Sequence, residues 1–306
     1  MTREQEFEEL RPLLFSISYR ILGSVTEAED AVQETWLRYA KTSTQPRSVK
    51  AFLSTTVTRI SIDVLGSARV RREEYVGPWL PEPLLADPYQ DPERSVELAD
   101  SLSMAALLLL ERLSPLERAV FVLREVFGFE FAEVASAVDR SEAACRQLVS
   151  RARRHMQDGR PRFEADRRKR AELAGRFFDA FREGDVAGLR ALLAADAQLV
   201  NDGGGKVGGR IPVHGVDKIA RALAATAPQF IRIGAALEMH EVNGQPGAIL
   251  RDRDGRVINT WVLDILDGRI QTIRSVINPD KLGHLGPVAD LHAVIREKNE
   301  TRRRMT

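Results

Sequence analysis

The sequence predicts a multidomain protein, with two all-α helical domains followed by an α+β domain. Three observations carry that expectation. Residues 1–75 hold apolar side chains at helical spacing and no Asn-Gly or Asp-Gly hairpin dipeptide. Residues 76–94 contain five prolines, at 78, 81, 83, 88 and 92, which break the helical pattern and mark a boundary. Past residue 166 the texture changes: Asn243-Gly244, Asp254-Gly255 and Asp267-Gly268 interrupt alternating apolar segments, as hairpin turns do.

In the first domain, residues 1–75, Thr26-Glu27-Ala28-Glu29 reads as a capping box that starts a helix. That helix places Ala28, Ala31, Val32, Thr35 and Tyr39 on one side and leaves Asp30, Gln33 and Glu34 on a wet face. A second helix near Ala51 to Ala68 buries Phe52, Val57, Ile60 and Val64 or their neighbours, and runs into the basic stretch Arg69-Val70-Arg71-Arg72.

After the linker, residues 76–94, helical pattern resumes at Ser95 and continues through Leu113 in a second domain, 95–160. Ser114 supplies an N-cap, Pro115 the first helical position and Glu117 the third. Segments Glu130 to Val138 and Ser141 to Met156 follow, separated only by Asp139-Arg140, and fit a helix-turn-helix. The first turns Phe131, Val134, Ala135 and Val138 inward, and the second tucks in Ala144, Leu148, Ala152 and Met156. The remaining face presents Glu142, Ala143, Arg146, Gln147, Ser150, Arg151, Arg153 and Arg154. Arg and Gln have the donor geometry to read base edges in a major groove, while further arginines neutralise phosphates. A helical hairpin with a basic, solvated face is the plainer reading of the same residues.

The third domain, residues 167–290, begins with helical stretches Ala171 to Arg182 and Val186 to Ala194. A glycine-rich patch, Asp202-Gly203-Gly204-Gly205-Lys206, and a helix over roughly Val216 to Ala225 follow. The hairpin signals then imply a curved antiparallel sheet with helices packed on it. Residues 291–306 read as a basic tail.

Composition narrows the class. Formal net charge is +1, yet residues 140–170 hold eleven Lys/Arg against four Asp/Glu, a local basic patch in a balanced chain. The single cysteine, Cys145, excludes an internal disulfide and a thiolate metal cluster, and a small buried thiol is its expected role. No metal or cofactor is expected. The start, MTREQEFEEL, lacks the features of a signal peptide. The apolar run from Met104 to Leu110 falls short of the roughly 20 residues a bilayer span needs, so a soluble cytoplasmic protein is expected.

Ile21-Leu22-Gly23-Ser24 followed by TEAEDAVQETWLRYA is similar to the polymerase-binding helix of bacterial extracytoplasmic-function (ECF) sigma factors. The run from Arg118-Ala119-Val120-Phe121-Val122-Leu123-Arg124 to Arg151-Ala152-Arg153 resembles their fourth conserved region. Three further stretches, WLPEPL at 79–84, DGGGK at 202–206 and Asn278-Pro279-Asp280-Lys281-Leu282, resemble the signature trio of the subgroup called group 41, the sigma J type. That resemblance implies a C-terminal domain of the SnoaL/NTF2-like cone type. It also implies two partners, core RNA polymerase and promoter DNA. Asp30, Gln33, Glu34 and Trp36 would face polymerase. Arg69, Arg71 and Arg72 would meet the −10 element, and Glu142, Arg146, Gln147, Ser150, Arg151, Arg153 and Arg154 the −35 element. Arg146 and Gln147 are expected to read bases, and Arg151, Arg153 and Arg154 to position backbone.

The linker carries Trp79, Leu80 and Leu84 between prolines, large apolar groups with nothing local to bury them. Proline stiffening lowers the entropic cost of docking, and each such side chain yields about 1.5–3 kcal/mol on burial. The expectation is that Trp79, Leu80, Pro81, Glu82, Pro83 and Leu84 dock beside Asp202, Gly203, Gly204, Gly205 and Lys206 and beside Asn278, Pro279, Asp280, Lys281 and Leu282. Lys206 and Lys281 offer partners for Glu82.

Cone folds also host isomerases and cyclases, so Asp202, His214, His240, Trp261 and Asp264 are candidates to line a pocket. They form no constellation in the sequence, and catalysis is not expected. A small ligand of unknown identity is the one further partner considered. The alternative to a sigma factor, a DNA-binding transcription regulator fused to a ligand-sensing or enzymatic domain, stays open here.

Overall fold

Capping chemistry sets the first helices. In this computed structural model, which describes residues 2–43, 45–157, 166–207, 211–290 and 292–294, α1 (Arg3–Leu22) opens on a reciprocal capping box between Thr2 and Gln5. It closes on Gly23 in the left-handed conformation, φ 70°. That turn leaves Ser24 extended just ahead of α2 (Val25–Ala40), where its hydroxyl accepts from the Glu27 amide at 3.1 Å. The start expected at Thr26 is therefore displaced upstream, because the serine reaches the free amides first. Ala28, Ala31, Val32, Thr35 and Tyr39 are buried on one side of α2. α3 (Val49–Glu73) outruns the expected span and carries the basic run as helix. Leu53, Val57, Ile60 and Leu65 fill its buried side, while Phe52 and Val64 are only half-buried.

The stretch read as one helix from Ser95 to Leu113 is two. α4 (Ser95–Leu102) ends at Ser103, whose hydroxyl accepts from the Ala106 amide at 3.2 Å and starts α5 (Met104–Leu110). α6 (Pro115–Phe121) has the Ser114–Glu117 capping box with Pro115 in its first turn. α7 (Phe131–Val138) and α8 (Glu142–Gln157) meet through Asp139 at φ 53°, a left-handed residue where the short turn demands one. The buried seam of α8 is Cys145, Leu148, Val149 and Ala152; Ala144 and Met156, like Phe131 of α7, are half-buried.

Three helices, α9 (Arg167–Glu183), α10 (Val186–Leu192) and α11 (Val216–Arg232), pack on a six-stranded sheet. Its strands are β1 (Leu193–Asp202), β2 (Val213–His214), β3 (Ala236–Val242), β4 (Gln245–Arg251), β5 (Val257–Leu266) and β6 (Arg269–Val276), in the order β2-β1-β6-β5-β4-β3. The all-antiparallel expectation fails at one seam, where β1 runs parallel to β6. α11 carries the chain to the far edge, and a four-strand meander then returns to lay the last strand beside the first. Asn243-Gly244 (φ 51° and 68°) and Asp267-Gly268 (φ 52° and 66°) make the tight turns, with both residues left-handed as a type I′ turn requires. Between helices and sheet, Trp261 lies 6.4, 6.4 and 4.8 Å from the rings of Phe177, Phe178 and Phe181. Leu263, Ile265, Ile270 and Ile273 complete this core.

Chain contacts divide the protein into two units. One joins Met1–Glu74 with Ala86–Pro161; the other joins Tyr75–Leu85 with Arg162–Thr306. The first half of the proline-rich linker thus packs as part of the C-terminal unit. Among the described residues no helix is long and apolar enough to cross a membrane. Apart from 292–294, the basic tail lies outside the described residues.

Candidate nucleic-acid, polymerase and strap sites

On α2, Asp30 and Gln33 are exposed, and Glu34 holds Arg38 in an i,i+4 ion pair at 2.8 Å. Trp36 is half-buried, with its ring 5.1 Å from Phe7 and 6.4 Å from Tyr39. It braces the domain more than it faces outward. The apolar side chain left on the wet face is Leu37, 44% exposed, which sequence reasoning passed over.

The backbone of Arg69, Arg71 and Arg72 is helical; their side chains lie outside the described residues. On α8 every expected contact residue, Glu142, Arg146, Gln147, Ser150, Arg151, Arg153 and Arg154, is exposed. They are not equally free. Arg146 pairs with Glu142 at 2.8 Å and stacks over Phe131 at 4.8 Å. Arg153 makes two bonds to the Glu125 carboxylate, at 2.9 and 3.0 Å, which raise its already high pKa. Arg151 lies 3.3 Å from Glu117. Although burial pushes the Glu117 carboxyl up, hydrogen bonds from Ser114 and the charge of Arg151 bring it below its ordinary value. Gln147, Ser150 and Arg154 hold no side-chain partner among the described residues. Glu117 and Glu125 lie in distant segments, so their pairing with α8 had no signal in the sequence. Cys145 is buried beneath this face, and burial pushes its thiol up.

The densest polar site lies in the C-terminal unit, around Asp202, which is 0% exposed. Its carboxylate accepts from the Tyr75 hydroxyl, from the Leu80 amide at 2.7 Å, from the Gly204 amide at 3.2 Å and from Lys281 Nζ at 2.7 Å. Lys281 also donates to the Leu80 carbonyl and sits over the rings of Trp79 and Tyr75, at 4.3 and 4.9 Å. Asn278 donates to the Tyr75 oxygen at 2.9 Å. Burial first, then the Asp202 carboxylate, pushes the Tyr75 phenol above its usual range. At the other end of the strap, the Leu84 amide donates to Asn243 Oδ1 at 3.0 Å, and the Asn243 amide donates back to the Leu84 carbonyl at 2.7 Å. His284 donates from Nε2 to the Pro83 carbonyl at 2.6 Å, which fixes its tautomer. Leu80, Pro81, Glu82, Pro83 and Leu84 are buried in this arrangement, and Trp79 is half-buried.

The glycines of the DGGGK stretch are needed for space. A Cβ on Gly203 would fall 1.5 Å from the Val207 carbonyl oxygen. One on Gly204, already left-handed at φ 59°, would meet the Asn278 side chain at 2.5 Å. Lys206 meets Asp280 at 2.7 Å, Lys281 meets Asp202, and the Glu82 carboxylate lies 4.0 Å from His284. Leu282 and Lys281 are buried, whereas Gly205, Lys206 and Asp280 are exposed. Tyr75, Asn243 and His284 were missed. Tyr75 and His284 flank the motifs closely, but only the folded chain shows where Asn243 lies.

The residues considered for a catalytic pocket do not converge. Asp202 is taken up by the strap, His214 and His240 stand on β2 and β3 at opposite edges of the sheet, and Trp261 belongs to the core. Asp264 is buried in an ion pair with Arg274, whose pKa burial lowers to about 10. No His/Cys/Asp/Glu group among the described residues could hold a metal ion.

Residues 7–71 match the family model described as Sigma-70 region 2, and residues 103–156 that described as Sigma-70, region 4. The chain is 36% identical over 286 residues to the ECF RNA polymerase sigma factor SigJ of Mycobacterium tuberculosis, covering 90% of this chain and 92% of that protein. It is 28% identical over 278 residues to the probable ECF RNA polymerase sigma factor SigI of the same organism, covering 90% and 93%. The crystal structure of the M. tuberculosis extracytoplasmic function sigma factor SigJ superposes with a TM-score of 0.71 at 34% identity, covering 91% of this chain and 98% of that one.

Proposed function

Since the chain belongs to the ECF RNA polymerase sigma factors, we propose that its C-terminal SnoaL/NTF2-like unit controls promoter-specific initiation in cis, through the strap of residues 79–84. As an alternative sigma factor it binds core RNA polymerase and promoter DNA. The alternative, a DNA-binding regulator that never engages polymerase, is not favoured by a chain that carries both region 2 and region 4.

The observation that carries cis control is the buried Asp202–Lys281 pair, both of whose groups also bond the Leu80 backbone. Burying two charges is costly unless each is fully bonded, and the strap supplies part of that bonding. Undocking it would take the Leu80 amide from Asp202 and the Leu80 carbonyl from Lys281. We read this unit as regulatory rather than catalytic, because its acidic and imidazole groups are dispersed or already paired. Residues 1–74 would form the polymerase and −10 module, and 95–157 the −35 module. The wet face of α2 presents Asp30, Gln33, Glu34 and Leu37 to polymerase.

On α8, Gln147 and Arg154 separate base reading from backbone positioning. Gln147→Ala is expected to cost about 1–3 kcal/mol at one −35 base pair and to relax selectivity there. Arg154→Ala is expected to weaken all sequences alike and to flatten the salt dependence of binding. Promoter binding and run-off transcription by reconstituted holoenzyme, with each −35 base pair varied in turn, measure both. Equal, sequence-independent losses for the two variants contradict the assignment of Gln147.

A further inference from the structure

Region 2 and region 4 meet within the first unit along α3 and α7, and this seam is tied at two points. Arg59 of α3 donates to the carbonyls of Ala137 and Ser136 at 2.9 and 2.7 Å, where the last turn of α7 leaves its carbonyls without helical donors. About two and a half turns earlier on α3, Lys50 lies over the Phe129 ring at 5.6 Å. Between these ties the facing side chains are small, and they leave a cavity of about 280 Å³. Ala51, Ser54 and Thr55 line it from α3, and Leu123, Phe129 and Ser136 from the region 4 side.

Ser54 gives the cavity a chemistry that small side chains alone would not. It is 2% exposed, and its hydroxyl has no hydrogen-bond partner among the described residues. Its neighbours on α3 behave otherwise: Thr56 and Ser61 donate to the carbonyls of Phe52 and Val57, four residues back, at 2.8 and 2.7 Å. A buried hydroxyl that makes no bond forfeits those it made to water, so a polar group brought beside it is favoured. Leu123 and Phe129, both buried, supply apolar surface, and the Phe129 ring suits a second aromatic. Glu133 also lines the cavity, is exposed, and disfavours an anionic occupant.

A cavity of about 150 Å³ already accommodates benzene, so this one has room for a pair of fused rings. We propose that the seam between α3 and α7 is a binding site for a small, uncharged aromatic molecule whose hydrogen-bonding group meets Ser54 Oγ. Both helices must be in place for the site to exist. By linkage, an occupant therefore favours the contact between region 2 and region 4. The site lies wholly within the first unit and uses no residue of the strap.

Indole is the probe, and indene, which has the same ring skeleton without the N–H, is its comparison. The full-length chain with isotopically labelled alanine methyls is titrated with each and followed by NMR. Indole is expected to shift the methyls of Ala51, Ala132 and Ala137, which line the cavity. Its Kd should be about 1 mM, the range open to so small a ligand. Ala174 and Ala220, in the core of the C-terminal unit, should not move. Indene is expected to bind about fivefold more weakly, the worth of one hydrogen bond. Ser54→Ala should bring indole to the level of indene and leave indene unchanged. Ser54→Leu fills the space and should abolish the shifts; Ser54→Ala carries the test if the leucine disturbs the fold. No saturable shift at Ala51 and Ala132 up to about 5 mM indole leaves the cavity to water and overturns the proposal. Shifts centred on Ala174 and Ala220 overturn it too, as does equal weakening of indole and indene by Ser54→Ala.

Discussion

Asp202→Ala is expected to release the strap and lower the stability of the C-terminal unit by about 3–5 kcal/mol, the cost of leaving one member of a buried ion pair alone. The substitution removes the acceptor for Tyr75, Leu80, Gly204 and Lys281 together, and leaves Lys281 Nζ buried against two aromatic rings. Hydrogen exchange on the full chain reads the effect residue by residue. The Leu80 and Leu84 amides are expected to lose protection by about 10²–10³, at 1.36 kcal/mol per factor of ten, while amides of α7 and α8 keep theirs. Lys206→Ala is the contrasting variant: its ion pair with Asp280 is about half exposed on both sides, so its loss should cost no more than about 1 kcal/mol. Unchanged protection at Leu80 in Asp202→Ala contradicts the role given to that carboxylate.

The second large effect concerns polymerase. Reversing charge on the wet face of α2 with Asp30→Lys and Glu34→Lys is expected to weaken binding of core RNA polymerase by about 10²–10³, since like charges brought together at an interface cost several kcal/mol. The fold should survive, because Asp30 is exposed and Glu34 gives up only an i,i+4 pair with Arg38, worth about 0.3–0.5 kcal/mol. Fluorescence titration with core polymerase measures the loss. Wild-type affinity in the doubly reversed chain places the polymerase contact elsewhere, with Leu37 and its neighbours the next surface to change.

Much of this was legible in the sequence where the signal is local. The buried side of α2, the Ser114–Glu117 capping box, the Asp139-Arg140 turn and the two Asx-Gly hairpins follow from spacing and backbone chemistry over a few residues. The parallel pairing of β1 with β6 does not, because it joins strands about seventy residues apart and leaves no local pattern. The break at Ser103 was hidden inside an unbroken apolar run whose composition favours helix on both sides. The strap was legible as apolar side chains without a local partner, and its two companion stretches as motifs. Tyr75, Asn243 and His284, which complete its anchorage, act through position in the folded unit, which spacing along the chain does not encode.

The central claim is that residues 79–84 act on initiation through the C-terminal unit. Run-off transcription with core polymerase measures it most directly, comparing Trp79→Ala with Leu80→Ala in the full-length chain and in a chain ending at residue 166. The expected result is a change in promoter-specific transcript of about tenfold or more in the full-length protein and none in the shortened one. An equal change in both would contradict the claim.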